Sequence, residues 1–416
     1  MRYDKYRDSG IEWIGEIPQQ WDCYKIKFLY NFSMGATILK SDLKKDGKIP
    51  VYSATESDTI FGYVNETNVI LAENDFVIPA RGNSIGHIYL VKHKSTCTQT
   101  TIYAKDKKSD IGVPKFVFYF QKGLRKHLFQ FDRTAIPQIT VEQVKNNLLV
   151  IPPKTEQTAI ASFLDQKTSE IDDLISNKKK LLKLYEEEKT AIINQAVTKG
   201  INPNVNMKDS GVEWLGEIPE HWELKKLKRF SVIKRGASPR PIADPKYFDE
   251  NGEWSWVRIA DVSASERYLK STTQTLSDLG ASLSVKMLPN DFFLSIAGSV
   301  GKPIITKIKC CIHDGFVYFP NLKLNSEFLF YIFSTSQPYQ GLGKWGTQLN
   351  LNTDTVGGIS IPKPDKKEIT SIVNFLDQKT AEIDKKISKT KKLIELLQEY
   401  KTTLISEVVT GKIKVI

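Results

Sequence analysis

The chain has 416 residues, 40% of them hydrophobic, and a formal net charge of +11. Its length exceeds one ordinary domain and suits two to four. No apolar run approaches the roughly 18–20 residues that span a bilayer, and the polar start MRYDKYRDSG has no apolar stretch of the secretory kind, so a cytoplasmic protein without a membrane partner is expected.

The basic excess favours a polyanionic partner through release of counterions from phosphates, with a merely basic soluble protein as the plain alternative. Cys23, Cys97, Cys310 and Cys311 form no C-x-x-C pair, and the five histidines do not cluster with them. Reduced thiols and no metal site are expected.

In chain order, the first element is the segment DSGIEWIGEIPQQW at 8–21, which returns as DSGVEWLGEIPEHW at 209–222. Trp13 and Trp21 thus recur as Trp214 and Trp222, and recurrence in both copies predicts anchors for each N-terminal segment. Gly35-Ala36-Thr37 returns as Gly236-Ala237-Ser238 at the same shift. The runs NDFVIPA, HIYLV and NNLLVIP read as strands between Gly, Asn, Asp and Pro turns. Asn74-Asp75-Phe76 matches Asn290-Asp291-Phe292, and Ser84-Ile85-Gly86 matches Ser299-Val300-Gly301. An aromatic, helix-like run near 114–128 contains KFVFYF, answered by EFLFYIF from 327. The blocks keep their order while the shift changes between them, which marks a tandem duplication with small insertions in loops.

After Pro152-Pro153, and again after Pro362-Lys363-Pro364, a long pattern without Gly or Pro runs to about Thr198 and Thr410. FLDQKT occurs identically at 163–168 and 375–380. Leu164, Ile171, Lys178, Tyr185 and Ile192 are spaced by seven, as are Leu376, Ile383, Thr390, Leu397 and Leu404. A second line through Ile175, Leu181 and Leu182 returns as Ile387, Leu393 and Ile394. Such heptads predict two helices of about 40 residues, on the order of 60 Å each, packed as an antiparallel coiled coil. The lysines on them, such as Lys178–Lys180, read as a solvated face.

The expected fold is therefore mixed α/β (α+β) with an internal pseudo-twofold repeat. Recognition domains at 1–153 and 201–362 alternate with helical spacers at 154–200 and 363–416. Two similar readers on a spacer suit two half-sites on duplex DNA. Because the readers differ in sequence, the target is expected to be bipartite and asymmetric.

The G-E-I-P-x-x-W opening, the G-A-[ST] turn, the G-S-[IV]-G turn, the I-P strand end and the F-L-D-Q-K-T helix resemble the specificity subunit of type I restriction-modification systems, in both halves of the chain. The resemblance implies that each variable domain reads half of a split target and that the helices dock two methyltransferase subunits. It places S-adenosylmethionine in those partners, and ATP and Mg in separate motor and nuclease subunits, with no cofactor in this chain. One departure is that Thr37 is followed by Ile38, whereas Ser238 is followed by Pro239-Arg240, the form closer to the family's G-x-[ST]-P. The first loop is expected to meet DNA differently.

Base edges are read best by Arg, Asn and Gln on exposed turns, whereas Lys mostly meets phosphates. That reasoning nominates Arg81, Asn83, Gln99, Arg133 and Gln138 in the first domain. In the second it nominates Arg235, Arg240, Arg258, Lys302, Lys344, Gln348 and Asn350. The plain alternatives are that Arg81 and Arg258 satisfy local carboxylates and that Gln138 and Gln348 cap turns. Trp345 is equally a stacking residue or a buried one.

Gly301-Lys302-Pro303 lacks the Ser or Thr of a phosphate loop. No S-adenosylmethionine fold or Asn/Asp-Pro-Pro-aromatic element is found, and Asp244, Asp249 and Glu250 read as ordinary acidic loops, so no catalytic centre is expected. The rival readings are a coiled-coil interaction scaffold without sequence-specific DNA binding and, more remotely, a stand-alone methyltransferase or nuclease.

Overall fold

A computed structural model describes residues 2–415 except 56–58, 131–136, 340–341 and 343–350. The chain divides into two compact units, residues 1–180 with 391–416, and residues 181–390. Each contains the start of one long helix and the end of the other.

In unit 1 the strand Tyr30–Met34 pairs with Thr101–Asp106, which pairs with Phe76–Pro79 and then Tyr89–Leu90. A second sheet places Ile49–Tyr52 between Gly62–Val64 and Thr96–Cys97, the last pairing being parallel. Unit 2 repeats this order. Lys234–Arg235, Phe316–Tyr318, Phe292–Ser295 and Pro303–Thr306 are neighbours in turn, and Trp254–Val257 lies between Gln274–Leu276 and Cys310–Ile312. The runs read as strands at NDFVIPA, HIYLV and NNLLVIP all contain strands, and the aromatic run forms Pro114–Gly123 and Arg125–Leu128.

One expectation needs correcting. The insertion in the second copy is more than loop, because it adds an edge strand to the larger sheet. Tyr268–Leu269 pairs in parallel with Pro303–Thr306, whereas the pairing of Val285–Met287 with Cys310–Ile312 lengthens a bridge that unit 1 already makes between Leu71 and Ser95.

Asn-Asp recurs for a local reason. Asn74 and Asn290 hold φ of 76° and 75°, a left-handed conformation that Asn tolerates better than most residues. The following Asp75 and Asp291 then accept the backbone N–H of Ala72 (2.8 Å) and Leu288 (2.7 Å).

The long helices are Lys154–Lys199 and Lys366–Val409. They run antiparallel in each unit. In unit 1 Glu156 and Lys414 both approach Tyr3, and Lys401 pairs with Asp172 further along. In unit 2 Lys189 meets Asp384 at 2.7 Å, Lys386 lies over the Tyr185 ring, and Gly200 faces Glu368. Of the predicted seam, Leu164, Ile171, Leu376, Ile383 and Leu404 are buried, as are Ile175, Ile387 and Ile394. Tyr185, Ile192 and Leu397 are half-buried. Leu393 departs from the second line, being 39% exposed.

The helices are built into the cores. In unit 2, Ile193, Ala196 and Val197 from the end of one helix and Ile369, Ile372 and Leu376 from the start of the other share a cluster with Trp222, Phe292 and Val317. The repeated motifs supply the polar links. Trp21 and Trp222 are nearly inaccessible and donate their indole N–H to Glu156 (3.1 Å) and Glu368 (2.8 Å). Tyr119 donates to Asp165 at 2.8 Å and lies 3.2 Å from the Thr168 hydroxyl. Tyr331 matches it against Asp377 (2.6 Å) and Thr380 (3.4 Å). FLDQKT thus recurs because its Asp and Thr hold the tyrosine of the aromatic helix. The other tryptophans anchor less deeply, Trp13 stacking on His127 and Trp214 being half-buried.

Candidate nucleic-acid interface

The exposed candidates gather on the loops at one end of each unit's larger sheet. In unit 1 the Gly35 N–H donates to Thr101 and the Ala36 N–H to Cys97, so the G-A-T turn lies against residues 97–101. A Cβ on Gly35 would stand 2.2 Å from the Thr98 carbonyl oxygen, which explains why only glycine serves there. The Thr37 hydroxyl donates to Gln99 Oε1 at 3.1 Å. Arg81 and Gln138 form an isolated antiparallel bridge, and the Ala80 N–H donates to Thr100. Arg81, Asn83, Gln99 and Gln138 are all exposed, and these contacts bring three of them onto one neighbourhood. A groove of about 530 Å³ alongside is lined by Thr37, Asp42, Lys44, Asn65 and Thr67.

Unit 2 repeats the cradle with different side chains. Gly236 donates to Phe316 and Ala237 to Ile312, and a Cβ on Gly236 would lie 2.2 Å from the His313 carbonyl oxygen. The Ser238 hydroxyl donates to Asp314 Oδ1 at 3.1 Å, as Thr37 does to Gln99. Arg240 donates to Asp314 Oδ2 at 3.2 Å, and Arg235 donates through Nε to the Asp314 carbonyl. Burial opposes the charge of Asp314, but Ser238, its own backbone, Arg235 and Arg240 more than offset this and hold its pKa below the ordinary carboxylate value.

Sequence reasoning missed Asp314. The signal was present, since Thr98-Gln99 and His313-Asp314 are offset by the same interval as Ser84 and Ser299. The dissimilar side chains concealed it.

Arg258 follows the plain alternative, with its Nε 3.7 Å from Asp261 and its guanidinium donating to the Thr273 hydroxyl. Lys302 is half-buried and donates to the Ser263 carbonyl at 3.0 Å, and burial lowers its pKa. Asp244 and Asp249 serve turns, accepting the backbone N–H of Lys246 and Asn251. Arg133, Lys344, Trp345, Gln348 and Asn350 lie outside the described residues. The four cysteines are free thiols, and burial raises the pKa of Cys97 and Cys311 to about 11 and of Cys310 to about 12.

His313 makes the second loop sensitive to acid. Its Nδ1 accepts the Gly315 N–H at 2.8 Å, which requires an unprotonated nitrogen, and burial lowers its pKa below the ordinary value. The unfolded chain therefore binds this proton more readily than the folded one. The stability His313 contributes is complete above about pH 6.5 and is lost as pH falls below that. NMR titration of the imidazole is expected to give a midpoint below about 6.5; a higher midpoint would contradict the geometry.

No helix among the described residues is long and apolar enough to cross a membrane. The family model for the type I restriction modification DNA specificity domain matches residues 18–184 and 219–396. The type I restriction enzyme MjaVIII specificity subunit of Methanocaldococcus jannaschii is 26% identical, over 96% of this chain and 94% of that protein. The EcoDI specificity subunit of Escherichia coli is 20% identical over 89% and 83%. Among solved structures, a chain from a study of type I R-M complex assembly and conformational transition superposes with a TM-score of 0.75 at 15% identity, covering 95% of this chain and 99% of that one. The HsdS subunit from Thermoanaerobacter tengcongensis gives 0.55 at 16%, covering 95% and 98%. With both halves matched and two units of one topology, the chain belongs to the type I restriction-modification DNA specificity family.

Proposed function

We propose that this chain is the DNA-targeting subunit of a type I restriction-modification complex and that it has no catalytic centre of its own. Each unit binds one half of a bipartite, asymmetric target. The long helices dock two methyltransferase subunits, which carry S-adenosylmethionine, and motor and nuclease subunits using ATP and Mg join in the full complex. The carrying observation is the contrast within the duplication. The tryptophan anchors, the FLDQKT contacts and the glycine cradles repeat, whereas the side chains on the cradles differ, as two readers of different half-sites require.

Arg81, Asn83, Gln99 and Gln138 in unit 1, and Arg235 and Arg240 in unit 2, are the best placed of the nominated residues for contact with DNA. Arg258 and Lys302 are committed to internal partners and rank below them. Docking is supported by apolar residues left in solvent on the helices. Leu184 and Leu396 occupy matching places in the two copies and are 58% and 47% exposed. Tyr400, one turn after Leu396, is 57% exposed. Leu396 and Tyr400, four residues apart, share one helix face, and adjoining exposed apolar side chains mark interaction sites.

The test is a genome-wide map of methylated adenine with and without the gene. A bipartite methylated motif that disappears on deletion is expected; an unchanged map would refute the reading. A scaffold that does not bind DNA sequence-selectively would leave the map unchanged, and methyl transfer by the purified chain alone would restore the enzymatic rival.

A further inference from the structure

We propose that the position held by Gln99 in unit 1 and Asp314 in unit 2 sets the base preference of each half-site: Gln99 reads adenine directly, and Asp314 is a positioning residue that aims Arg240 at guanine. The proposal rests on the DNA-targeting reading above and adds to it which positions choose the base.

The two positions are equivalent by hydrogen bonding and not merely by alignment. Each follows the residue whose carbonyl meets the cradle glycine, Thr98 in unit 1 and His313 in unit 2. Each also accepts the hydroxyl that ends the G-A-[ST] turn, from Thr37 at 3.1 Å or Ser238 at 3.1 Å. That structural duty needs only one oxygen acceptor, which an amide and a carboxylate supply equally. The difference between them lies in the rest of the side chain.

In Gln99 the Thr37 hydroxyl ties down Oε1 and leaves the amide N–H₂ for an outside partner, with a second lone pair on the same oxygen. A donor and an acceptor side by side on an exposed residue match adenine N6 and N7 in the major groove. Asp314 is occupied differently. Oδ1 takes Ser238, Oδ2 takes Arg240, and its carbonyl takes Arg235. With both carboxylate oxygens engaged, Asp314 is a poor reader and a good buttress. Arg240 is 79% exposed and, of its five N–H donors, spends one on Asp314. A guanidinium held by a carboxylate on one side presents its remaining donors in a fixed direction, and two parallel donors match guanine O6 and N7. Unit 1 has Ile38 directly after its G-A-T turn, where unit 2 carries Pro239-Arg240, so the arginine and the acid that holds it occur in the same unit.

The test compares methylation maps from cells expressing the full chain with its methyltransferase partner. Arg240→Gln is expected to relax or change one base in one half-site by roughly ten- to hundredfold in preference, with the other half unchanged. Asp314→Asn should reduce the same preference less, and Gln99→Ala should relax one adenine position in the other half only. Discrimination kept in the untouched half reports a folded protein. Where a variant abolishes methylation throughout, binding of the purified complex to duplexes differing by one base pair decides. Loss of discrimination at one position supports the proposal, and an equal fall for every duplex overturns it. A bipartite wild-type motif that survives Arg240→Gln and Gln99→Ala unchanged overturns the proposal while leaving the targeting reading standing, as does a motif without guanine in the half that Arg240 governs. A wild type with no bipartite motif refutes the targeting reading itself.

Discussion

Leu376→Asp is expected to destabilise unit 2 by about 5 kcal/mol and to abolish its half of DNA recognition. The side chain is inaccessible and packs in the cluster that includes Trp222, Ile218 and Leu329, where both long helices meet the recognition sheet. Truncating a buried leucine alone costs roughly 2–5 kcal/mol, and an unpaired carboxylate in the same place adds its desolvation. Leu164→Asp should do the same to unit 1, since Leu164 is equally inaccessible. Leu393→Asp is the control. Heptad counting puts Leu393 on an apolar line, but it is 39% exposed, so its replacement should change stability by less than about 1 kcal/mol. Chemical denaturation followed by hydrogen exchange would separate the units. Equal effects from Leu376→Asp and Leu393→Asp would mean that the seam is drawn wrongly.

That contrast shows which parts of the fold could be read from sequence. Repeats and periodicities are properties of the chain itself, so the duplication, the strand runs and the two long helices were legible. The division of each helix between the units was not, because a heptad pattern says that a face is buried and leaves its cover unnamed. Leu376, on the predicted seam, packs into the core of unit 2 with Trp222 and Phe328, whereas Leu393, on the second line, is left exposed. Among the nominated residues, residue type and turn context picked out Arg240 and Gln99, which are exposed on the cradle loops. Arg258 has the same residue type, yet Asp261 and Thr273 hold it, and those are contacts across a fold that spacing cannot reveal. Asp314 was hidden in the opposite way. Its backbone setting repeats that of Gln99 while its side chain does not, so only the shared hydroxyl and glycine contacts identify it.

The same comparison of copies yields the other large expected effect, at Arg267. In unit 1, Lys115 on the aromatic helix pairs with Asp165 of FLDQKT at 2.6 Å. The corresponding residue in unit 2 is Glu327, which would face Asp377 with like charge. The inserted segment resolves the conflict. Arg267, immediately before the added edge strand, reaches Asp377 at 2.7 Å and Glu327 at 3.3 Å, with its guanidinium 4.4 Å from the Tyr331 ring and 4.9 Å from that of Phe330. Its side chain is only 16% exposed, whereas Lys115 and Asp165 are 56% and 42% exposed.

Arg267→Ala therefore removes a cation from between two acids and two rings. Breaking a buried ion pair costs roughly 3–5 kcal/mol, and rehydration of the 45%-exposed Asp377 brings the expected loss to about 2–3 kcal/mol. Lys115→Ala, at the matching place in unit 1, should cost under about 1 kcal/mol. Arg267→Lys should recover only part of the loss, since an ammonium lacks the planar fork and the ring stacking. The decisive variant adds Glu327→Lys to Arg267→Ala, which recreates the unit 1 arrangement beside Asp377. Denaturation midpoints should then recover most of what the single substitution lost. If the second change deepened the loss instead, the arginine would be acting through its ring contacts alone, and the charge-reversal account of the inserted segment would fall.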